Sequence, residues 1–178
     1  MSLDRFVRPW VGSAFRHLPA GSPVDVLDFR FAGRNKENSW NDYGDPTLYL
    51  AGDEGVLITE WGRHFADSRT EGVGHVAQHR SVFRLTLALD ASLDLRDPEV
   101  CAALSVGVAP HRFASAAVAR ATAQLIRRNS AAQAVLVPPM AFLDQPDRWC
   151  LVLFLEKLPA ETGRWVTNVA PVGPLRWG

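Results

Sequence analysis

Apolar and polar positions alternate most regularly over residues 81–89, where Phe83, Leu85, Leu87 and Leu89 stand against Val82, Arg84, Thr86 and Ala88. A period of two puts each set on its own face of an extended chain, which predicts a half-buried β-strand. Residues 149–155 are apolar without interruption and predict a strand covered on both faces. Three shorter runs also predict strands. Residues 13–18 end at the Pro- and Gly-rich stretch 19–23, residues 134–137 end at Pro138 and Pro139, and residues 164–169 lead into a Pro/Gly tail. Residues 1–12, with Phe6, Pro9 and Trp10, are expected to form an irregular arm. The period of residues 24–31 decides neither helix nor strand.

Helical spacing is clearest over residues 112–128. Phe113, Ala116, Ala117 and Ala121 supply an apolar side there, and Arg127 and Arg128 suit the negative end of the helix dipole. A shorter helix is expected from Asp97-Pro98-Glu99 through Leu104, with Pro at its first position. Residues 66–79 show no period and predict a loop. Strands outnumber helices and interleave with them irregularly. The expected fold is therefore α+β, with mixed, mostly antiparallel sheets and a few helices, in a single domain spanning residues 1–178.

The most informative stretch runs from Asn38 to Glu60. Asn41 to Gly44, then Asp45-Pro46, are turn formers; residues 47–50 are strand formers; Asp53 can cap a helix whose first turn carries Glu54. On that helix Val56, Leu57, Glu60, Trp61, His64 and Phe65 share one face. A carboxylate on an apolar face is rarely buried without a partner, which makes Glu60 the first candidate for chemistry. The plain structural alternative is an i, i+4 pair with His64. Arg16 lies in register with Ala14 and Leu18, and an inward Arg there needs anionic company. Its alternative is an exposed edge-strand Arg.

Charge and composition mainly exclude. Nineteen Lys and Arg balance nineteen Asp and Glu, giving a net charge of +0 and no electrostatic case for nucleic acid or an anionic membrane. No apolar run is long enough for a membrane span, and the N-terminus lacks the apolar core of a signal peptide, so a cytoplasmic location is expected. Cys101 and Cys150 alone make neither a disulfide framework nor a zinc site, and both are expected to be buried thiols. His75 and His79 are spaced i, i+4, but Gly72 and Gly74 argue against a helix carrying them, and no metal is expected.

The ordered segments resemble the RES-domain family. The carrying residues are Phe15-Arg16-His17-Leu18-Pro19, Asp25-Val26-Leu27-Asp28-Phe29, Ala32-Gly33-Arg34, Trp40-Asn41 with Gly44, the run from Pro46 to Ala51, Glu60, and the strand pair 134–138 and 150–154. The resemblance implies an ADP-ribosyltransferase-like fold and a toxin that consumes NAD as substrate, without a further cofactor. It also implies a helix-turn-helix antitoxin as partner, with a homo-oligomer as a further possibility. It places the family Tyr and Glu on Tyr49 and Glu60, as catalytic residues. A phosphate-binding Arg of the pocket falls on Arg16, with Arg34 as a second candidate and Ser39 and Asn41 beside it. The family's central Arg and its Ser fall on Ser39 and Pro139, so two of the three residues that name the family differ here.

The chemistry sets the requirements. Breaking the nicotinamide–ribose bond builds positive charge on the sugar, which a placed carboxylate stabilises. The pyrophosphate calls for Arg or backbone N–H groups. Two functions follow: an enzyme that cleaves NAD through Glu60, or a RES-fold binding module that holds a nucleotide or an antitoxin without turnover.

Overall fold

A computed structural model describes residues 3–36, 38–67, 79–107 and 111–175, with backbone only over 64–67. Its elements in chain order are β1 (Arg8–Pro19), β2 (Thr47–Ala51), α1 (Glu54–Asp67), β3 (Arg80–Asp94), α2 (Pro98–Ala103), α3 (Ala116–Asn129), β4 (Ala134–Val137), β5 (Cys150–Phe154) and β6 (Val166–Pro174). The strand order is β1-β2-β5-β4-β3-β6, and β1 also pairs along β3 from Arg8↔Ser92 to Pro19↔Arg80. Among the described strands only β3 and β4 run parallel. The fold is α+β, as the segment pattern predicts.

Alternation along the strands sorts the core into layers. Leu48, Leu50, Leu136, Leu151 and Leu153 point one way and pack with Ala14, Leu85, Leu87 and Leu89 from β1 and β3. Val135, Val137, Val152 and Phe154 point the other way, against Val100, Cys101, Phe113 and the α3 residues Ala119, Ala123 and Ile126. The small side chains on α3 let the helix lie close to the strands. A third cluster, Ala51, Val56, Leu57 and Val82, seats α1 at the end of β2.

Three expectations about the elements are corrected, and one open segment is settled. The N-terminal residues are not an irregular arm: after a turn of 3-10 helix at Asp4–Phe6, β1 begins at Arg8, with a bulge between Arg8 and Trp10 that absorbs Pro9. The Ala-rich helix starts at Ala116, capped by Ser115, because Phe113 is drawn into the core on a separate turn, His111–Ala114. The Pro/Gly tail is part of β6, which pairs with β3 through Pro174↔Ser81. A strand bonded on one side tolerates Pro, whose missing N–H is not needed at a sheet edge. Residues 24–31 form turns, in neither helix nor strand.

Neither cysteine is in a disulfide. Cys101 is buried, its thiol donating to the Leu95 carbonyl at 3.2 Å, whereas Cys150 is half-buried. His75 and most of the 66–79 loop lie outside the described residues. Among the described residues no group of His, Cys, Asp and Glu could hold a metal ion, and no helix is long and apolar enough to cross a membrane.

Candidate functional site

The face of β2, β5 and β4 that carries Tyr49, Val152 and Val137 is covered by α3 over part of its length only. Beyond the helix it forms the floor of a cavity of about 550 Å3. Strand register sets that floor, with Tyr49 opposite Val152 and Val137 opposite Cys150. One wall is α1, through Leu57, Glu60, Trp61 and Arg63; the facing wall is Asn38, Ser39 and Trp40; Pro138 to Met140 and His17 complete the rim.

Helix α1 aims Glu60. Its start is fixed by Asp53, whose Oδ1 accepts the Val56 N–H at 2.8 Å and pairs with Arg148 at 3.2 Å. With Val56 and Leu57 seated in the core, Glu60 follows at i+4 and i+3 and faces the same side. Its Oε1 accepts the backbone N–H of Ala141 at 2.9 Å, and Oε2 lies 3.5 Å from the Arg63 guanidinium. The side chain is 28% exposed. Glu60 is therefore held by one backbone donor and a long ion pair, with its charge on the cavity wall.

Tyr49 has a different task. Its hydroxyl donates to Asn41 Oδ1 at 2.7 Å and accepts the Trp40 N–H at 3.0 Å. Asn41 Oδ1 also receives Asn38 Nδ2 at 3.0 Å, and its own Nδ2 donates to the carbonyls of Gly33 and Asp42. The phenol is thus spent on holding the facing wall, and its ring is what the cavity meets. Burial pushes this phenol above the ordinary tyrosine value of 10.0, a shift the Trp40 N–H offsets only in part. The native state therefore keeps the proton where the unfolded chain loses it, so stability falls as pH rises above about 10. We expect Tyr49→Phe to orphan the Trp40 N–H, at a cost of about 1–3 kcal/mol in urea unfolding. The variant should also lose the part of the alkaline decline that Tyr49 causes. An unchanged pH dependence would show that this hydroxyl is not held as described.

The facing wall is also clamped from outside. Arg120 on α3 donates to the carbonyls of Asn38 and Lys36, both at 3.0 Å; Gln124 reaches Asp42 and Asp45; Arg127 donates to Thr47 Oγ1 at 2.6 Å while stacking 4.0 Å above the Phe154 ring. On β1, His17 Nδ1 accepts from Arg80 Nε at 2.9 Å, which leaves the imidazole proton on Nε2, and the ring meets Trp61 edge-on at 5.6 Å.

The sequence model of the family described as RES domain matches residues 9–177. The chain belongs to the RES-domain family. A similar solved structure is a chain in "Crystal structure of the M.tuberculosis MbcT-MbcA toxin-antitoxin complex", with a TM-score of 0.66 and 19% identity, covering 94% of this chain and 87% of that one. At that identity the likeness is one of fold. No curated protein matches.

In this RES domain the cavity gathers Tyr49, Glu60 and Ser39, and Pro139 lines it as well. Asn41 lies behind the wall, 1% exposed, and acts through Tyr49. Neither expected phosphate-binding Arg lines it. Arg16 stands on the face of β1 opposite His17, donates to the carbonyls of Val26 and Asp28, and lies 5.1 Å from the Phe29 ring. Burial lowers its pKa, partly offset by Asp28 and Asp25, so its anionic company is that loop. Arg34 is exposed and stacks over Phe31 at 5.4 Å. The lining residues that escaped the sequence reading include His17, Trp61 as a wall residue, and Arg63. The usable signals were parity, which puts His17 opposite Arg16, and the i+3 step from Glu60 to Arg63. The Cys150 thiol in the floor is pushed up by burial first, then by the charges of Glu60 and Asp53, so it stays protonated.

Proposed function

We propose that this RES domain is a toxin that binds NAD in the cavity and cleaves its nicotinamide–ribose bond. The observation that carries the reading is the Glu60 carboxylate, fixed by the Ala141 N–H on the wall of a ligand-sized cavity that is also lined by Trp40, Tyr49 and Trp61. As the C–N bond breaks, its electron pair leaves with nicotinamide as a neutral base, so no acid is needed for the leaving group. The positive charge left on the ribose faces Glu60, and the aromatic rings exclude water and take the flat nicotinamide. Water, phosphate or a protein side chain then adds to the sugar carbon. The setting proposed is the cytoplasm, with an antitoxin protein as partner.

The test is direct: incubate the purified protein with NAD and follow free nicotinamide by chromatography. Release that tracks the protein and disappears in Glu60→Gln supports the reading. No release at high protein concentration removes it.

A second reading, a binding module without turnover, draws on Ser39 and Pro139. Both line the cavity, yet neither carries a charge, and Pro139 has neither hydroxyl nor N–H to offer. NAD would then raise the melting temperature with no nicotinamide formed.

A further inference from the structure

Among the described residues lining the cavity, Arg63 is the sole Lys or Arg. It sits one turn beyond Glu60 on α1, is 42% exposed, and meets the carboxylate at 3.5 Å, a long contact for an ion pair. Arg16 and Arg34 are engaged elsewhere, with the 26–28 loop and with Phe31. A dinucleotide entering this cavity therefore meets, among the described residues, one guanidinium, and that guanidinium rests on the residue assigned to the reaction.

We propose that Arg63 binds the phosphate groups of the nicotinamide nucleotide, and that its pairing with Glu60 is a resting position abandoned when those phosphates arrive. The proposal rests on the NAD reading above. A phosphate presents two or three anionic oxygens in the geometry that the guanidinium fork matches, and it competes with a single carboxylate oxygen held at long range. Transfer of Arg63 to the phosphate removes the cation nearest Glu60 Oε2. The carboxylate then faces the ribose with its charge unopposed, at the moment that charge is needed. A ligand without phosphate leaves Arg63 on Glu60. The arrangement thus selects nucleotides over nucleosides by two routes, binding and activation.

The test uses titration calorimetry with three probes: inorganic pyrophosphate, an NAD analogue whose nicotinamide ribose is carbocyclic and therefore not cleaved, and nicotinamide riboside. Arg63→Gln should weaken the pyrophosphate and the analogue by about 10- to 100-fold, the range set by hydrogen bonds to charged groups, with Arg63→Lys in between. Nicotinamide riboside should bind Arg63→Gln at least as well as it binds the wild type, which a general structural defect would not allow. Glu60→Gln should bind pyrophosphate more tightly than the wild type, because the competing carboxylate is gone. Equal affinity of wild type and Arg63→Gln for both phosphate probes overturns the assignment, and so does failure of pyrophosphate to bind the wild type. Lack of tightening in Glu60→Gln overturns the resting position. If pyrophosphate binds through Arg63 while the analogue does not bind, the NAD reading falls and the anion site stands.

Discussion

Glu60→Gln is expected to lower nicotinamide release from NAD by at least about 100-fold while the protein still folds and still binds the dinucleotide. The substitution keeps size and shape, and the amide oxygen can still accept the Ala141 N–H that the carboxylate accepts at 2.9 Å. What it removes is the negative charge, the property the sugar cation requires. The contact with Arg63 contributes little to stability, being long and partly exposed, so the melting temperature should move by only a degree or two. The rate and the melting curve are measured on the same preparation. Full activity in the variant would mean that another group carries the chemistry. Loss of activity together with loss of folding would return Glu60 to a purely structural role.

A second substitution should act on the protein's stability and on the cavity wall at once. Gly33 has φ +79, and a Cβ added there would sit 1.7 Å from the Asp45 carbonyl oxygen and 2.8 Å from its carbon. That collision is with backbone, so the loop itself must shift. The Gly33 carbonyl accepts both Asn41 Nδ2, at 3.0 Å, and the Gly44 N–H, at 3.2 Å. Moving it therefore disturbs Asn41, then the Tyr49 hydroxyl, then the Trp40 N–H. Gly33→Ala is expected to cost about 2–4 kcal/mol in urea unfolding and to weaken ligand binding as well. Gly44→Ala is the matched control. Its φ is +98, but an added Cβ meets nothing within 4 Å, so only the conformational cost of about 1–2 kcal/mol applies. Equal losses at the two glycines would show that the Gly33–Asp45 contact is not tight.

The strands that wall the core were legible because their side chains alternate or are apolar throughout, as in β3 and β5. The second half of strand β6 was hidden by Pro171, Gly173 and Pro174, which read as a tail until β3 is present to pair with them. The start of β1 was hidden in the same way by Pro9. Glu60 stood out because helical spacing alone puts it on an apolar face. Arg16 misled because Ala14 and Phe15 are both apolar, so local alternation could not say which parity faces the helices. The fold uses the parity of Phe15 and His17 for that side. The Ala141 amide that holds Glu60 left no trace in composition or period. Backbone donors are invisible to residue type, and this one is 81 positions away.

That separation bears on how the protein is made. The cavity takes His17 from the first strand, its floor from Val137, Cys150 and Val152, and the anchor of Glu60 from Ala141. A nascent chain leaves the ribosome from its N-terminus. It carries Tyr49 and Glu60 before Ala141, which anchors the carboxylate, and before Val152, which completes the cavity floor. Prematurely terminated products ending before β5 would therefore lack the floor of the cavity.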